Sequence, residues 1–221
     1  MDVTVVANVT SDSNKGSYMK TILVLLFSFF LMGCGESLPD APGTSKSNEA
    51  AVAAIEKLGG DVTFDAKSGE VVNVDLDNAW MLTDAGLLHL KEMTSLRALL
   101  LVNTRITDVG LEHLKGMASL RGLGVKNTQI TDAGLEHLKD LTSLTTLDLA
   151  RTQITDAGLV HVKGIAKLQR LALDETQITD AGLEHLKGMT SLRDLRLSGT
   201  QITGAGLAEI KAALPKCKIS K

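Results

Sequence analysis

The residues best suited to chemistry in this chain are five histidines at a regular spacing. His89, His113, His137, His161 and His185 lie 24 residues apart. Neutral imidazoles in a row could ligate a transition metal, or gain charge just below neutral pH. A second row with the same period, Asp84, Asp108, Asp132, Asp156 and Asp180, could supply general bases. Neither row is well placed for that work. Helical geometry turns His89 about 130° away from the mean direction of Leu87 and Leu90, so the histidines belong on an outer helix surface. Neighbouring helices pack roughly 8–10 Å apart, whereas zinc–nitrogen bonds are about 2 Å. Each Asp directly follows a Thr at a helix start, and capping accounts for the row better than catalysis does. The chain has two cysteines, Cys34 and Cys217, and neither has metal-ligand or disulfide-framework spacing. No phosphate-binding glycine loop, nucleophile elbow or nucleophile–base pair is present. The expectation is no enzyme, no metal and no cofactor.

The elements that carry these rows come from the repeat itself. Thr83, Thr107, Thr131, Thr155, Thr179 and Thr203 each open a phrase in which Gly and Leu follow three and four places later. Apolar residues keep the same phase at Leu96, Leu99, Leu101, Ile106, Leu111 and Leu114, then at Leu120, Leu123, Val125, Ile130, Leu135 and Leu138. A fixed period between about 20 and 50 residues means stacked units rather than one compact centre. Leu99 and Leu101 are two apart and share one side of a strand, while Leu111 and Leu114 are three apart and share a helix face. Thr107 or Asp108 can cap the helix start. Gly110 leaves room where the helix meets the neighbouring unit.

The pattern L-x-x-L-x-L-x-x-T-x-I-T-D-x-G-L resembles the leucine-rich repeat. It is most similar to the cysteine-containing, ribonuclease-inhibitor-like type, with Thr where relatives carry Asn or Cys. The resemblance covers residues 76–219. It implies an α/β solenoid of about six units, with a curved parallel sheet inside and short helices outside. Residues 47–76 read as an N-terminal cap: a helix, then a hairpin turning at Ala66-Lys67-Ser68-Gly69. Repeats occupy 77–213, and 214–221 form a C-terminal cap in which Pro215 breaks the repeat, Cys217 packs and Ile219 falls in the strand phase of Leu195. The first unit is irregular, because Leu76 lies one residue further from Thr83 than Leu101 does from Thr107. Aromatics are scarce outside the N-terminal region, with only Phe64 and Trp80, so the core must be aliphatic and Trp/Tyr anchors for a partner are few.

Two sets of repeat positions invite a role. Thr104, Thr128, Thr152, Thr176 and Thr200 sit at the turn and read as a structural ladder, their hydroxyls able to link backbone groups of successive units. The strand positions between the inward leucines vary freely while the packing positions do not. Leu100, Val102, Lys126, Asp148, Arg151, Arg170, Asp174, Asp194 and Arg196 are the expected partner-binding residues of the concave sheet face. One end of that face is apolar, the other charged. The partner is a protein or peptide, and the chain is a monomer. The formal net charge of −3 lacks the basic excess that nucleic acid requires. The alternative is a structural envelope protein without a specific partner.

Residues 1–33 read as a signal peptide, with Met19 as an alternative start. Thr21–Met32 is an apolar run of 12 residues, too short to span a bilayer, which takes about 20. Leu31-Met32-Gly33-Cys34 resembles the lipobox of bacterial lipoproteins. That resemblance implies lipid attachment to Cys34, export, and anchoring in the cell membrane or outer membrane. Residues 34–46 are small, polar and proline-bearing, and read as a disordered tether.

Overall fold

The computed structural model describes residues 46–221, with side chains from Glu49 onward. The expected signal peptide, Cys34 and nearly all of the tether lie outside the described residues. The described residues open with helix α1 (Lys46–Lys57). Strands β1 (Asp61–Phe64) and β2 (Val71–Asp75) follow as an antiparallel pair, closed by an Asp65 carboxylate that accepts the backbone N–H groups of Lys67 and Ser68. From β2 onward every pairing is parallel, through β3 (Ala98–Leu100), β4 (Gly122–Gly124), β5 (Thr146–Asp148), β6 (Arg170–Ala172), β7 (Asp194–Arg196) and β8 (Lys218–Ser220). The eight strands are ordered as in the sequence. Short helices return the chain between strands: α2 (Asp84–Leu87), α3 (Asp108–Glu112), α4 (Asp132–Leu135), α5 (Leu159–Val162), α6 (Asp180–Leu183) and the longer α7 (Gly204–Ala213). This is a leucine-rich-repeat solenoid.

The sheet is longer than six units would make it, because both terminal segments join it. β2 is the second arm of the expected hairpin and also the first parallel strand, with Asn73 opposite Ala98. Ile219 pairs opposite Leu195, so the C-terminal segment continues the sheet. The reason is the phase of the apolar residues: Val74, Leu99, Leu123, Leu147, Leu171, Leu195 and Ile219 hold successive register positions across the sheet. A strand whose inward residue keeps that phase gains both ladder hydrogen bonds and apolar burial. The core is accordingly a column of aliphatic residues running from Ala51 and Ile55 of α1 to Leu214. Among the described residues the two aromatics lie outside it, Phe64 44% and Trp80 67% exposed. Cys217 packs half-buried against the end of the column, and burial raises its thiol pKa.

The Thr-Asp-x-Gly phrase couples one unit to the next. Thr107 Oγ1 accepts the backbone N–H of Val109 and so caps α3. The same threonine donates its own N–H (2.8 Å) and hydroxyl (2.7 Å) to the two oxygens of Asp84, one unit earlier. Asp108, Asp132, Asp156 and Asp180 repeat this toward Thr131, Thr155, Thr179 and Thr203. Glycine is required three residues after Thr107 because a Cβ on Gly110 would come within 2.5 Å of Asp84 Oδ1, and Gly134, Gly158, Gly182 and Gly206 stand likewise against the preceding Asp. Thr is therefore the cap and Asp the inter-unit bridge.

The turn threonines behave differently from expectation. Thr104, Thr128, Thr152, Thr176 and Thr200 are buried or nearly so, but each hydroxyl donates to a carbonyl three residues back in its own unit, at 2.6–2.7 Å. The Asp–Thr bridges, by contrast, do join successive units, alongside the strand ladder.

Candidate binding face

The residues facing solvent from the sheet form ordered rows. One row runs Asn73, Ala98, Gly122, Thr146, Arg170, Asp194, Lys218, and a second runs Asp75, Leu100, Gly124, Asp148, Ala172, Arg196, Ser220. Just past the strand ends, Asp77, Val102, Lys126, Ala150, Asp174 and Ser198 continue the same face, as the repeat period and the backbone bonds between units require. Eight of the nine expected binding residues thus share one surface: Leu100, Val102, Lys126, Asp148, Arg170, Asp174, Asp194 and Arg196. Arg151 lies at its rim.

Arg151 occupies the turn position where the backbone enters the left-handed region, with φ 56°, as do Asn78, Asn103, Asn127 and Glu175. For residues with a Cβ this conformation costs about 1–2 kcal/mol, least for Asn. Successive side chains of the column pair with each other. Asn103 Nδ2 donates to Asn78 Oδ1 and Asn127 Nδ2 to Asn103 Oδ1, both at 2.7 Å. Arg151 meets Glu175 at 2.7 Å. That hydrogen bond, more than any other cause, holds the Glu175 carboxyl below its ordinary value and the Arg151 guanidinium above its own. Both partners are about half exposed, so the pair contributes little to stability.

Several acids on the face are committed to backbone. Asp148 Oδ1 accepts Ala150 N–H (3.0 Å), and Asp174 Oδ1 accepts Ser198 N–H (3.0 Å). Asp174 is only 7% exposed, and its second oxygen lies 2.7 Å from Arg196 Nη2, out of hydrogen-bond alignment. Arg196 is therefore tied to Asp174, while Arg170 makes no ion pair with another described residue. Between them a cleft of about 220 Å³ opens among Thr146, Asp148, Arg170, Ala172, Asp194 and Arg196. Small-molecule sites are usually about 300–1,000 Å³ and concave, so this hollow suits one side chain of a larger partner.

The first strand's contribution was not legible from the repeat. Asp75 and Asp77 lie on the face at its N-terminal end. Asp77 Oδ1 accepts Val102 N–H (2.7 Å), and burial, then Asp75 and Asp148, push its carboxyl above the ordinary value. The signal was present in the strand phase of Val72–Leu76 but was hidden by the irregular spacing to Thr83. The histidines are less uniformly outward than expected. His89 is exposed, whereas His113, His137, His161 and His185 are half-buried, and His137 Nδ1 is buried without a hydrogen bond. No cluster of metal-ligating side chains occurs among the described residues.

A family pattern described as leucine rich repeat matches residues 94–154 and 142–202. Among solved structures, the chain resembles an internalin (inlF) from Listeria monocytogenes, with 27% identity, a TM-score of 0.54, and coverage of 66% of this chain and 39% of that one. An internalin C2 from the same species shows 19% identity and a TM-score of 0.49 over 78% of this chain and 80% of that one. A leucine-rich-repeat protein of Leptospira interrogans shows 22% identity and a TM-score of 0.49 over 61% and 33%. The likeness to the first internalin therefore spans well under half of that protein. No curated protein matches the chain.

Proposed function

We propose that this chain is a non-catalytic recognition module of the cell envelope, held to a membrane through a lipid on Cys34 and binding a protein or peptide across the solvent face of its sheet. Leucine-rich repeats generally act as protein-interaction modules. The observation that carries the reading is the contrast between the two sides of each strand. The inward side repeats Leu99, Leu123, Leu147, Leu171 and Leu195, while the neighbouring face positions carry Ala98, Gly122, Thr146, Arg170 and Asp194. Packing holds the first set constant. The second set offers a graded surface, apolar toward Leu100 and Val102 and charged toward Arg170 and Arg196.

Arg170 is the cleaner probe of the two arginines. Replacing Arg196 would strip the buried Asp174 of its countercharge and mix stability with binding. In cross-linking from intact envelopes, the wild-type chain should capture a defined protein that Arg170→Glu loses, while thermal unfolding of the variant stays unchanged. Identical captured proteins in both would remove Arg170 from the interface. The alternative, a structural envelope lipoprotein, draws support from Asp148 and Asp174, whose carboxylates already serve the backbone. That reading requires the same background in both samples.

A further inference from the structure

The one irregular unit places apolar bulk in water. In later units a single polar residue, Arg105, Gln129, Gln153, Gln177 or Gln201, stands between the buried or half-buried turn threonine and the buried Ile. In the first unit two residues, Trp80 and Met81, stand between buried Ala79 and buried Leu82. Both anchors are fixed in the core, so the extra residue cannot be accommodated inward. Trp80 is 67% and Met81 63% exposed. Trp80 is the only tryptophan of the chain. An isolated exposed apolar residue needs no explanation, but an adjacent Trp–Met pair does, and its turn is tied by backbone bonds to Val102.

The surroundings specify a partner. The turn that carries this pair is pinned to the second unit: Asn78 N–H donates to Val102 O (2.7 Å), and Asp77 Oδ1 accepts Val102 N–H (2.7 Å). Val102 and the exposed Leu100 are the only branched aliphatic residues in the solvent-facing rows from β2 to β7. Beside them stand Asp75 and Asp77, and the face has no Lys or Arg before Lys126. The imbalance extends beyond the face. Residues 46–103 hold five Lys/Arg against nine Asp/Glu, net −4, whereas residues 104–221 hold sixteen against thirteen, net +3. Burial first, and Asp75 and Asp148 to a lesser degree, raise the Asp77 carboxyl against the lowering bond from Val102 N–H.

We propose that Trp80, Met81, Leu100 and Val102, flanked by Asp75 and Asp77, form the docking surface for a cationic amphipathic protein segment, one that presents aliphatic or aromatic anchors interleaved with Lys or Arg. The proposal rests on the sheet face being a binding surface and assigns its N-terminal end a partner chemistry. Apolar anchors would cover the Trp–Met ledge, and the basic groups would meet the two carboxylates, setting orientation and association rate.

Trp80 reports on the surface directly, because its fluorescence is the chain's only tryptophan signal. The full-length chain is titrated with a short synthetic Leu/Lys amphipathic peptide, its Leu/Glu counterpart, and phosphatidylglycerol vesicles. The expected result is a saturable blue shift with the Lys peptide, at least about tenfold weaker with the Glu peptide, a difference equal to about 1.4 kcal/mol. Asp75→Asn/Asp77→Asn, which keeps an oxygen for Val102 N–H, should weaken the Lys peptide about tenfold, and Leu100→Ser should do likewise by calorimetry. Lys163→Ser, at the end of α5 and away from the sheet face, should leave it unchanged. No saturable shift up to about 1 mM peptide, or equal binding of both peptides, overturns the proposal. So does a shift produced by vesicles and not by peptide, or one that depends only on the protein's own concentration. Loss of Lys-peptide binding on Arg170→Glu with no effect of the Asp variants would leave the face as a binding surface and remove this end of it.

Discussion

Asp180 shows how a single repeated residue acquires a measurable property from its neighbour. The hydroxyl and the backbone N–H of Thr203, in that order of effect, both donate to its ionised form and hold its carboxyl below the ordinary value of 3.8. The folded chain therefore releases this proton more readily than the unfolded one. The resulting stability is present above the unfolded value and is lost as pH falls through the lowered folded value. Asp180→Asn should make urea-unfolding stability fall less steeply than wild type as pH drops below about 4. Identical acid slopes would show that the bridge carries no proton linkage. Asp77 has the opposite sign: a raised carboxyl favours the folded state on the acid side and costs stability as pH rises through it.

Each short helix depends on the unit before it. From α2 to α6 the helices have four or five residues, far below the length at which isolated helices hold. From α3 onward, what fixes them is the cap from the unit's own Thr and the carboxylate from the preceding unit. The Asp108–Gly134 contact permits a strict check. Asp108→Ala leaves the part-buried Thr131 N–H without its charged acceptor and should cost about 2–4 kcal/mol. Gly134→Ala drives a Cβ into Asp108 Oδ1 and should also destabilise, although alanine alone favours helix by about 1 kcal/mol. With Asp108 already Ala that collision is gone. Gly134→Ala should then be neutral or stabilising, giving a coupling of about 1–3 kcal/mol in a double-mutant cycle of chemical denaturation. Simple additivity would show that the glycine serves some other purpose.

At the scale of the whole molecule, eight strands about 4.8 Å apart present a face roughly 34 Å wide. That width matches a small domain or an extended peptide. The net charge of −3 conceals an acidic N-terminal third and a basic remainder, so the two ends of the stack carry opposite fields. The proposed membrane attachment belongs to residues outside those the structure describes. If Cys34 carries the lipid, Cys34→Ser should move the chain from the membrane fraction to the soluble fraction while leaving its circular dichroism intact. Retention of the variant in membranes would end the lipoprotein reading. Peptides from residues 1–18 recovered from cells would exclude Met19 as the start.

The sequence by itself determined the period, the inward leucines, the register of the parallel strands and the aliphatic character of the core. Those features follow from local spacing: a two-residue alternation sets the strand side, and a phase kept over 24 residues sets its neighbour. Leu99 lies beside Leu123 for that reason. Only the tertiary structure decided that Asp84 serves Thr107 rather than its own helix, that the turn threonines bond within their own units, and that Asp174 is nearly buried under Arg196. It alone showed that one extra residue between Ala79 and Leu82 turns the chain's only tryptophan outward. Each depends on distances between groups a whole repeat apart, or on how two fixed anchors strain the chain between them, and no pattern read along one strand contains those distances.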